Sequence, residues 1–219
     1  MIMINSLLFS YPGKSDFKLA ISDLKIGDGE KVCIVGPSGS GKTTLINIVT
    51  GIYKPLGGTV SVNGIYISDK NEKEIREFRI NKVGYIYQDF GLIDYLTVRD
   101  NVLLPFFLNP GKNAGREVRE RTMAILSRLG LESMASRYPS ELSHGEKQRA
   151  AIARALIVNP EIIIGDEATG NLDVKTAESI MQLLLEVVNE SSATLLFVTH
   201  NLSLVKYFNR VIDLNEINA

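Results

Sequence analysis

Short apolar segments recur along the 219-residue chain and predict a sheet-based core. Residues 162–164 (Ile-Ile-Ile) and 195–198 (Leu-Leu-Phe-Val) are apolar at every position. Such runs are typical of strands covered by helices on both faces, so we expect a mostly parallel α/β core. The earliest strands alternate apolar and polar positions and predict an antiparallel flank. Strands are predicted at residues 2–9, 18–26, 31–35, 58–62, 83–87, 161–165, 193–198 and 210–214.

Apolar residues at helical spacing separate these strands. Residues 90–138 carry no strand signal, which predicts a helical insertion. We expect one domain over residues 1–219, with a core formed by 1–89 and 139–219 and with the insertion leading into the helix at 143. Asn63-Gly64 predicts a hairpin or strand-end turn, because both residues accept positive φ. Helices are predicted at residues 41–50, 72–81, 97–108, 114–129, 143–158, 177–190 and 202–207.

Composition excludes several classes of protein. The net charge is −1, from 24 basic and 25 acidic residues, and no basic tract predicts a nucleic-acid surface. The single cysteine, Cys33, excludes a disulfide framework within the chain and suits a reducing cytoplasm. The most apolar run, at residues 102–108, is far shorter than the ~20 residues that span a bilayer. We therefore expect any membrane crossing to be done by another subunit.

Residues 36–43, Gly-Pro-Ser-Gly-Ser-Gly-Lys-Thr, lie between a predicted strand and a predicted helix. Glycines let the backbone aim several N–H groups at one anion, at the positive end of the helix. Lys42 is then expected to reach the β- and γ-phosphates, and Thr43 to ligate Mg²⁺. The alternative is a flexible Gly/Ser turn, but the flanking strand and helix favour nucleotide binding.

A second motif follows the strand at 161–165, where Asp166 and Glu167 are adjacent. Ligands collect at the carboxyl ends of strands in doubly wound sheets. Asp166 is therefore expected to hold Mg²⁺ beside Thr43, and Glu167 to polarise a water for attack on the γ-phosphate. The alternative is an ordinary solvated strand end.

Residues 142–149, Leu-Ser-His-Gly-Glu-Lys-Gln-Arg, resemble the signature loop of ATP-binding cassette (ABC) ATPases, usually written L-S-G-G-Q. Further motifs are similar to that family in the same order: Gln88 fits the Q-loop, residues 171–173 fit the D-loop, and His200 fits the switch histidine. The resemblance covers essentially the whole chain. It implies ATP hydrolysis and the P-loop NTPase fold of ABC ATPases, with an antiparallel flank and a helical subdomain.

The resemblance also implies roles for the matching residues. Catalysis would involve Lys42, Gln88, Glu167 and His200, and Mg²⁺ would be held by Thr43, Gln88 and Asp166. Asp173 would serve communication within a dimer. ATP would be bound by Tyr11, at the place of the adenine-stacking aromatic, and by Gly36, Ser38, Gly39, Ser40, Gly41, Lys42, Thr43 and Thr44.

His144 and His200, the two histidines of the chain, both lie in these motifs. His200 follows the strand expected beside Asp166, so it can point at the γ-phosphate; the alternative is an ordinary polar residue at a strand end.

Ser143-x-x-Glu146 is a capping box and predicts a helix start at the signature. Gly145 beside it leaves backbone N–H groups for an anion. In the family, this helix end closes over ATP held by a second cassette, so Ser143, Gly145 and Glu146 are expected to act in trans in a head-to-tail dimer of two copies. His144 and Glu146 depart from the usual glycine and glutamine. The Glu146 carboxylate would repel phosphate unless it turns back to cap the helix.

Residues 168–173, Ala-Thr-Gly-Asn-Leu-Asp, are similar to the P-T-G-N-L-D string of a bacterial branch that contains the ATPases of lipoprotein-release, macrolide- and peptide-export, and cell-division systems. The resemblance implies a nucleotide-binding subunit that drives a separate transmembrane subunit, with export or release favoured. It would be cytoplasmic and peripheral on the inner face of the plasma membrane.

The apolar residues of segment 90–96 are expected to line a groove for the membrane subunit; the alternative is that they pack the helical insertion. They are Phe90, Leu92, Ile93, Tyr95 and Leu96.

Two other functions are left open by this pattern. A soluble ABC ATPase of iron–sulfur assembly, or of another non-transport process, has a similar architecture. A different P-loop enzyme, such as a small-molecule kinase, is disfavoured by residues 143–149.

Overall fold

Two β-sheets organise the described part of the chain, which in this computed structural model comprises residues 1–13, 17–109 and 111–218. All eight predicted strands are present. An additional two-residue strand, β5, is too short to leave a sequence pattern. The strands are β1 (Ile2–Ser10), β2 (Lys18–Ile26), β3 (Lys31–Val35), β4 (Gly57–Val62), β5 (Ile65–Tyr66), β6 (Val83–Ile86), β7 (Ile162–Asp166), β8 (Thr194–Val198) and β9 (Arg210–Asp213).

The larger sheet is parallel, in the order β6-β7-β8-β3-β9. Its central strands are buried on both faces, since Ile162 and Ile164 of β7 belong to one core cluster and Ile163 to the other. The predicted parallel core is therefore confirmed. Strand β8 lies between β3 and β7, so the segments that follow these three strands meet at one edge of the sheet.

The smaller sheet is antiparallel, in the order β2-β1-β4-β5. Val62 pairs with Ile65 across the turn Asn63-Gly64, where φ is 48° and 77°. Positive φ at both central residues is the geometry of a tight hairpin turn, as predicted. One core cluster fills the space between this sheet and the parallel sheet.

Seven α-helices occupy the described residues: α1 (Lys42–Val49), α2 (Glu72–Lys82), α3 (Val98–Phe107), α4 (Arg116–Arg128), α5 (His144–Leu156), α6 (Val174–Glu190) and α7 (Leu214–Ile217). Helix α6 begins three residues before the predicted start, because the Asp173 side chain accepts from the Thr176 N–H and caps it at Val174. The predicted helix at 202–207 is a 3₁₀ helix, Leu202–Tyr207. The predicted end of the last strand, at 214, is one residue too late, because Asp213 caps α7.

The described residues between β6 and β7 contain helices and no strand, as expected for 90–138. Helix α5 links this region to the sheet, because it packs on both α3 and β6. Its buried apolar residues belong to the second core cluster, which lies on the face of the parallel sheet that points away from the antiparallel sheet. This cluster includes side chains from α3, α4 and α6. In the part of the chain that the structure describes, no helix has the combination of length and apolar character needed to cross a membrane.

Candidate active site

The phosphate loop joins β3 to α1, as the sequence predicts. Gly41, at the start of α1, has φ 103° and supplies no side-chain cap, so the first N–H groups of the helix point outward without a side-chain acceptor. Lys42 is 5% exposed, and its Nζ donates to the carbonyl oxygens of Gly36 and Pro37, each at 2.8 Å. The ammonium group is thus held inside the loop.

Two further features of the loop are suited to an anion. A Cβ on Gly36 would lie 2.8 Å from Ser40 Oγ, so the close backbone approach needs glycine. Ser40 Oγ is buried and has no hydrogen-bond partner among the described residues. A buried hydroxyl without a partner is costly, and an acceptor placed in the loop would relieve that cost.

Thr43 and Asp166 meet at the carboxyl edge of the sheet, as predicted. Thr43 Oγ1 donates to Asp166 Oδ1 at 3.1 Å, and the Tyr85 hydroxyl donates to Asp166 Oδ2 at 3.2 Å. Burial raises the pKa of the Asp166 carboxyl above its ordinary value, and these two hydrogen bonds oppose the shift. Tyr85 was not among the predicted site residues; it comes from the neighbouring strand β6, and only the strand order identifies it.

Glu167 and His200 are brought together by the pairing of β7 with β8. Asp166 pairs with Val198, so the residues after each strand are neighbours. His200 Nδ1 lies 2.9 Å from Glu167 Oε2. Glu167 has φ 47°, and its N–H donates to the Val198 carbonyl at 3.0 Å. Left-handed backbone at a glutamate is uncommon and typical of functional sites, where the surrounding structure holds it.

Gln88 and the residues predicted as the D-loop are also in contact. Asn171 Nδ2 donates to the Gln88 carbonyl at 2.8 Å. Asp173 accepts from the Thr176 N–H at 3.1 Å and from its hydroxyl at 2.6 Å, and these bonds lower the pKa of Asp173. In this chain Asp173 therefore caps α6.

The signature residues open helix α5 through a closed capping box. Glu146 Oε2 accepts from the Ser143 N–H at 2.7 Å and from its hydroxyl at 2.8 Å. The carboxylate thus turns back to cap the helix, and these bonds lower the pKa of Glu146. A Cβ on Gly145 would lie 3.1 Å from Thr176 Cγ2, which shows that this helix start lies against the start of α6. His144 lies over Phe90, with ring centroids 5.8 Å apart.

Tyr11 lies beside the phosphate loop. Its hydroxyl is hydrogen-bonded to Thr44 Oγ1 at 2.7 Å. Its ring packs among Phe9, Phe17 and Tyr53, with centroid distances of 5.1, 5.4 and 5.6 Å. The structure thus places Tyr11 next to α1, and its role with adenine stays a prediction.

Arg154 was not predicted as a functional residue. It is buried on α5, and it donates to the carbonyl oxygens of Phe90 and Gly91 in the turn that follows Gln88. Its guanidinium also lies 5.9 Å from the centre of the Tyr87 ring. Its acceptors are backbone atoms, which leave no pattern in the sequence.

The comparisons with known proteins agree with this geometry. Residues 19–170 match the family model described as ABC transporter. The ABC transporter ATP-binding protein MJ0796 of Methanocaldococcus jannaschii is 40% identical over 220 residues, which cover 99% of this chain and 94% of that protein. The chain belongs to the ABC transporter family. The lipoprotein-releasing system ATP-binding protein LolD of Bacteroides thetaiotaomicron is 41% identical over 192 residues, covering 88% of this chain and 87% of LolD.

Two solved structures have the same fold as this ABC transporter ATPase. A dimeric structure of MJ0796, described as a bacterial ABC transporter cassette, has a TM-score of 0.85 and 39% identity, with 97% of this chain and 94% of that chain covered. A post-hydrolysis state of the MJ0796 cassette, bound to ADP and Pi, has a TM-score of 0.85 and 38% identity, with the same coverage. The predicted fold, ATPase activity and nucleotide-binding role in a transporter are confirmed.

An apolar groove of about 200 Å³ lies beside the segment predicted to contact a membrane subunit in this cassette. We call it the apolar groove. None of the apolar residues of segment 90–96 belongs to its lining. The groove is lined by Ile52, Arg79, Ile80, Val83, Tyr85, Tyr87, Leu104, Pro105, Leu108, Arg154, Ala155 and Val158.

Segment 90–96 instead packs on the helical region of the cassette. Phe90 and Leu92 contact the second core cluster, and Tyr95 is 80% exposed. Buried Asn101 holds the segment by bonding both the N–H and the carbonyl of Ile93, at 2.7 and 3.0 Å. These backbone bonds hold the segment on α3, and its contact with a membrane subunit stays a prediction.

Proposed function

We propose that this cassette binds ATP with Mg²⁺ on the phosphate loop, pairs head to tail with a second copy, and drives a separate membrane subunit when ATP is bound and hydrolysed. The observation that carries the proposal is the meeting of four side chains at one edge of the parallel sheet. Thr43 lies at the start of α1, after β3. Asp166 is the last residue of β7 and Glu167 the next one, and His200 comes after β8.

The residues at this edge fit MgATP. Mg²⁺ prefers oxygen ligands and is usually held by one or two carboxylates together with substrate phosphates. Thr43 and Asp166 supply a hydroxyl and a carboxylate 3.1 Å apart, and Gln88 would complete the set. Among the described residues no group of three or more His, Cys, Asp or Glu side chains is arranged for a metal ion. Bound Mg²⁺ neutralises charge on the phosphates.

The side chains around this site have distinct tasks in the proposal. Lys42 exchanges its bonds to the Gly36 and Pro37 carbonyls for bonds to phosphate oxygens. Glu167 accepts the proton of the attacking water, and His200, 2.9 Å from it, orients that carboxylate towards the γ-phosphate. Gln88 lies at the edge of the site, where the side chain of Asn171 holds its backbone carbonyl.

A second copy completes the pocket with its signature. Ser143, Gly145 and Glu146 open α5, where the positive end of the helix favours an anion. Because the Glu146 carboxylate is bonded to Ser143, its repulsion of phosphate is reduced. Asp173 lies at the start of α6, next to this helix end, where it would meet the other copy. The dimeric MJ0796 structures support this assembly.

The membrane subunit is proposed to insert a segment into the apolar groove, beside Gln88 and the turn held by Arg154. The cassette would then lie on the cytoplasmic face of the membrane through that subunit. The name of the LolD relatives, lipoprotein-releasing system ATP-binding protein, supports a release or export system.

A mixing experiment tests the shared pocket. Lys42→Ala removes the phosphate-binding ammonium, and Ser143→Arg blocks the signature, so each variant alone should lack ATPase activity. In a head-to-tail dimer, one copy of each restores one intact pocket, so an equal mixture should recover about a quarter of the wild-type activity. Ser192→Arg, an exposed serine at the opposite sheet edge, is the control and should stay active. A mixture that stays inactive, or Ser143→Arg that is active alone, would contradict a composite site.

A further inference from the structure

A second groove, of about 700 Å³, adjoins the apolar groove and is strongly basic. We call it the basic groove. It lies between α2 and the segment that follows α1. Five of its lining side chains are cationic and one, Glu72, is acidic; the five are Lys54, Lys70, Lys73, Arg76 and Arg79. Since the whole chain carries a net charge of −1, this concentration is local.

Three of the cations, Lys73, Arg76 and Arg79, lie on α2, and Lys70 lies just before the N-cap Asn71. These four recur every third residue, a spacing that places successive side chains of a helix next to each other. Buried Ile75 and Phe78 anchor α2, and Ile75 also lines the basic groove beside these cations, so the helix has a fixed orientation.

Most of this charge is not neutralised within the chain. Lys70 is paired with Glu74 at 2.7 Å. In the described ranges no ion pair is formed by Lys54, Lys73, Arg76 or Arg79, and the one hydrogen bond of Arg76 is a long one, 3.5 Å, to the Leu108 carbonyl. A cleft lined by one sign of charge attracts a ligand of the opposite sign.

The basic groove is continuous with the apolar groove, because Ile52 and Arg79 line both. Leu104 and Leu108 lie on the apolar side of this border. A helical segment that lays an apolar face into one half therefore places its flanking residues over the other. The concave shape favours such a segment over a flat lipid surface.

We propose that the basic groove binds an acidic stretch of the membrane subunit, contiguous with the part of that subunit held in the apolar groove. This inference rests on the proposed function. It adds the chemistry of the partner: an apolar helix face followed by carboxylate side chains.

The test uses the full cassette and its proposed membrane subunit, reconstituted in phosphatidylcholine nanodiscs. The double variant Lys73→Glu/Arg76→Glu should keep the basal ATPase activity and lose about tenfold in affinity for the nanodisc-bound subunit. Wild-type affinity should fall as NaCl is raised, and the variant should lose most of that dependence. The matched control is Arg116→Glu/Arg119→Glu, two exposed cations with the same spacing on α4, which should bind as the wild type does.

Two further arms separate the outcomes. Leu104→Asn in the apolar groove should abolish the complex; if it does not, the docking site in the proposed function is wrong. If Leu104→Asn abolishes binding but the basic-groove variant binds like the wild type, only the acidic-stretch inference fails. Empty nanodiscs containing phosphatidylglycerol test lipid headgroups: binding there that depends on Lys73 and Arg76 would overturn the inference in favour of a membrane surface.

Discussion

Arg154 Nη2 donates to the carbonyl oxygen of Phe90 at 2.7 Å, from the third turn of the signature helix α5 to the turn after Gln88. Phe90 has φ 65° and Gly91 φ 56°, so two successive residues are left-handed. This conformation costs roughly 1–2 kcal/mol at a residue other than glycine. The buried guanidinium holds it by bonding both carbonyls, and Asn171 bonds the carbonyl of Gln88. The Q-loop is therefore tied to the signature helix and to the D-loop.

Replacing Arg154 should impair hydrolysis more than ATP binding. Arg154→Met removes both donors from the turn, and a hydrogen bond of a charged group is worth about 1.5–3 kcal/mol, so kcat should fall about tenfold or more. The KM for ATP should change little, because the phosphate loop is untouched. Arg154→Lys, with one donor group in place of the fork, should be intermediate.

The control for Arg154 is Arg121→Met. Arg121 also donates to a helix-end carbonyl, that of Ile157 at 2.7 Å, but it lies away from the site. Equal losses of kcat in the two variants would show a general packing effect and contradict the positioning role.

Glu167→Gln should stall hydrolysis and keep ATP binding. The amide cannot accept the proton of the attacking water, and general-base catalysis contributes about 10²–10⁴-fold. An ATP-dependent dimer should then be stable in size-exclusion chromatography. A variant that turns over ATP at the wild-type rate would show that Glu167 is not the base.

The requirement for Mg²⁺ should increase as the pH falls. Because burial raises the pKa of Asp166, the protonated form, which does not bind a cation, is populated at a pH at which ordinary aspartates are ionised. For the nucleotide-free protein, a folded pKa above the unfolded value means that this group favours folding at low pH. That contribution is lost as the pH rises through the folded pKa.

The pH effect is measured by Mg²⁺ titration of ATPase activity in buffers from neutral to mildly acidic. Tyr85→Phe removes a hydrogen bond that lowers the pKa of Asp166, so it should move the effect to higher pH. An unchanged profile in Tyr85→Phe would argue that Asp166 does not control the titration.

Glu146→Gln should favour closure of the dimer. Glutamine at this position can still accept from the Ser143 N–H and cap α5, but it carries no charge towards phosphate. In the Glu167→Gln background, the double variant should dimerise at a lower ATP concentration. Dimerisation that needs more ATP would mean that the carboxylate itself contributes to closure.

Gly84→Ala should destabilise the fold without touching the site. A Cβ on Gly84 would lie 2.5 Å from the carbonyl oxygen of Ala155, where β6 packs on α5. Overpacking against backbone costs about 1–3 kcal/mol, measurable as a lower free energy of unfolding in urea. Gly57→Ala is the matched strand control, because its nearest neighbour would be 3.8 Å away. Equal stability of the two variants would contradict the close contact.

The sequence by itself determined the features that depend on local patterns. Runs such as Ile162-Ile163-Ile164 are apolar on both sides because both faces are covered, one by the core shared with the antiparallel sheet and the other by helices. Such a period-free pattern predicts a parallel core. The phosphate loop and the Ser143–Glu146 capping box are made by residues within a few positions of each other, so their geometry follows from spacing alone. Even the proximity of Thr43 and Asp166 follows from the rule that strand ends share an edge.

Only the tertiary structure decided which distant residues meet at the carboxyl edge of the parallel sheet. Tyr85 reaches Asp166 because β6 and β7 are neighbours, and Arg154 acts on backbone carbonyls, which every residue carries. Asn101 bonds the backbone of Ile93 and so holds segment 90–96 on α3, and the apolar groove forms next to it. The basic groove likewise joins α2 to the segment after α1. These contacts depend on strand order and helix packing, which are set by burial over the whole chain and not by any short stretch of it.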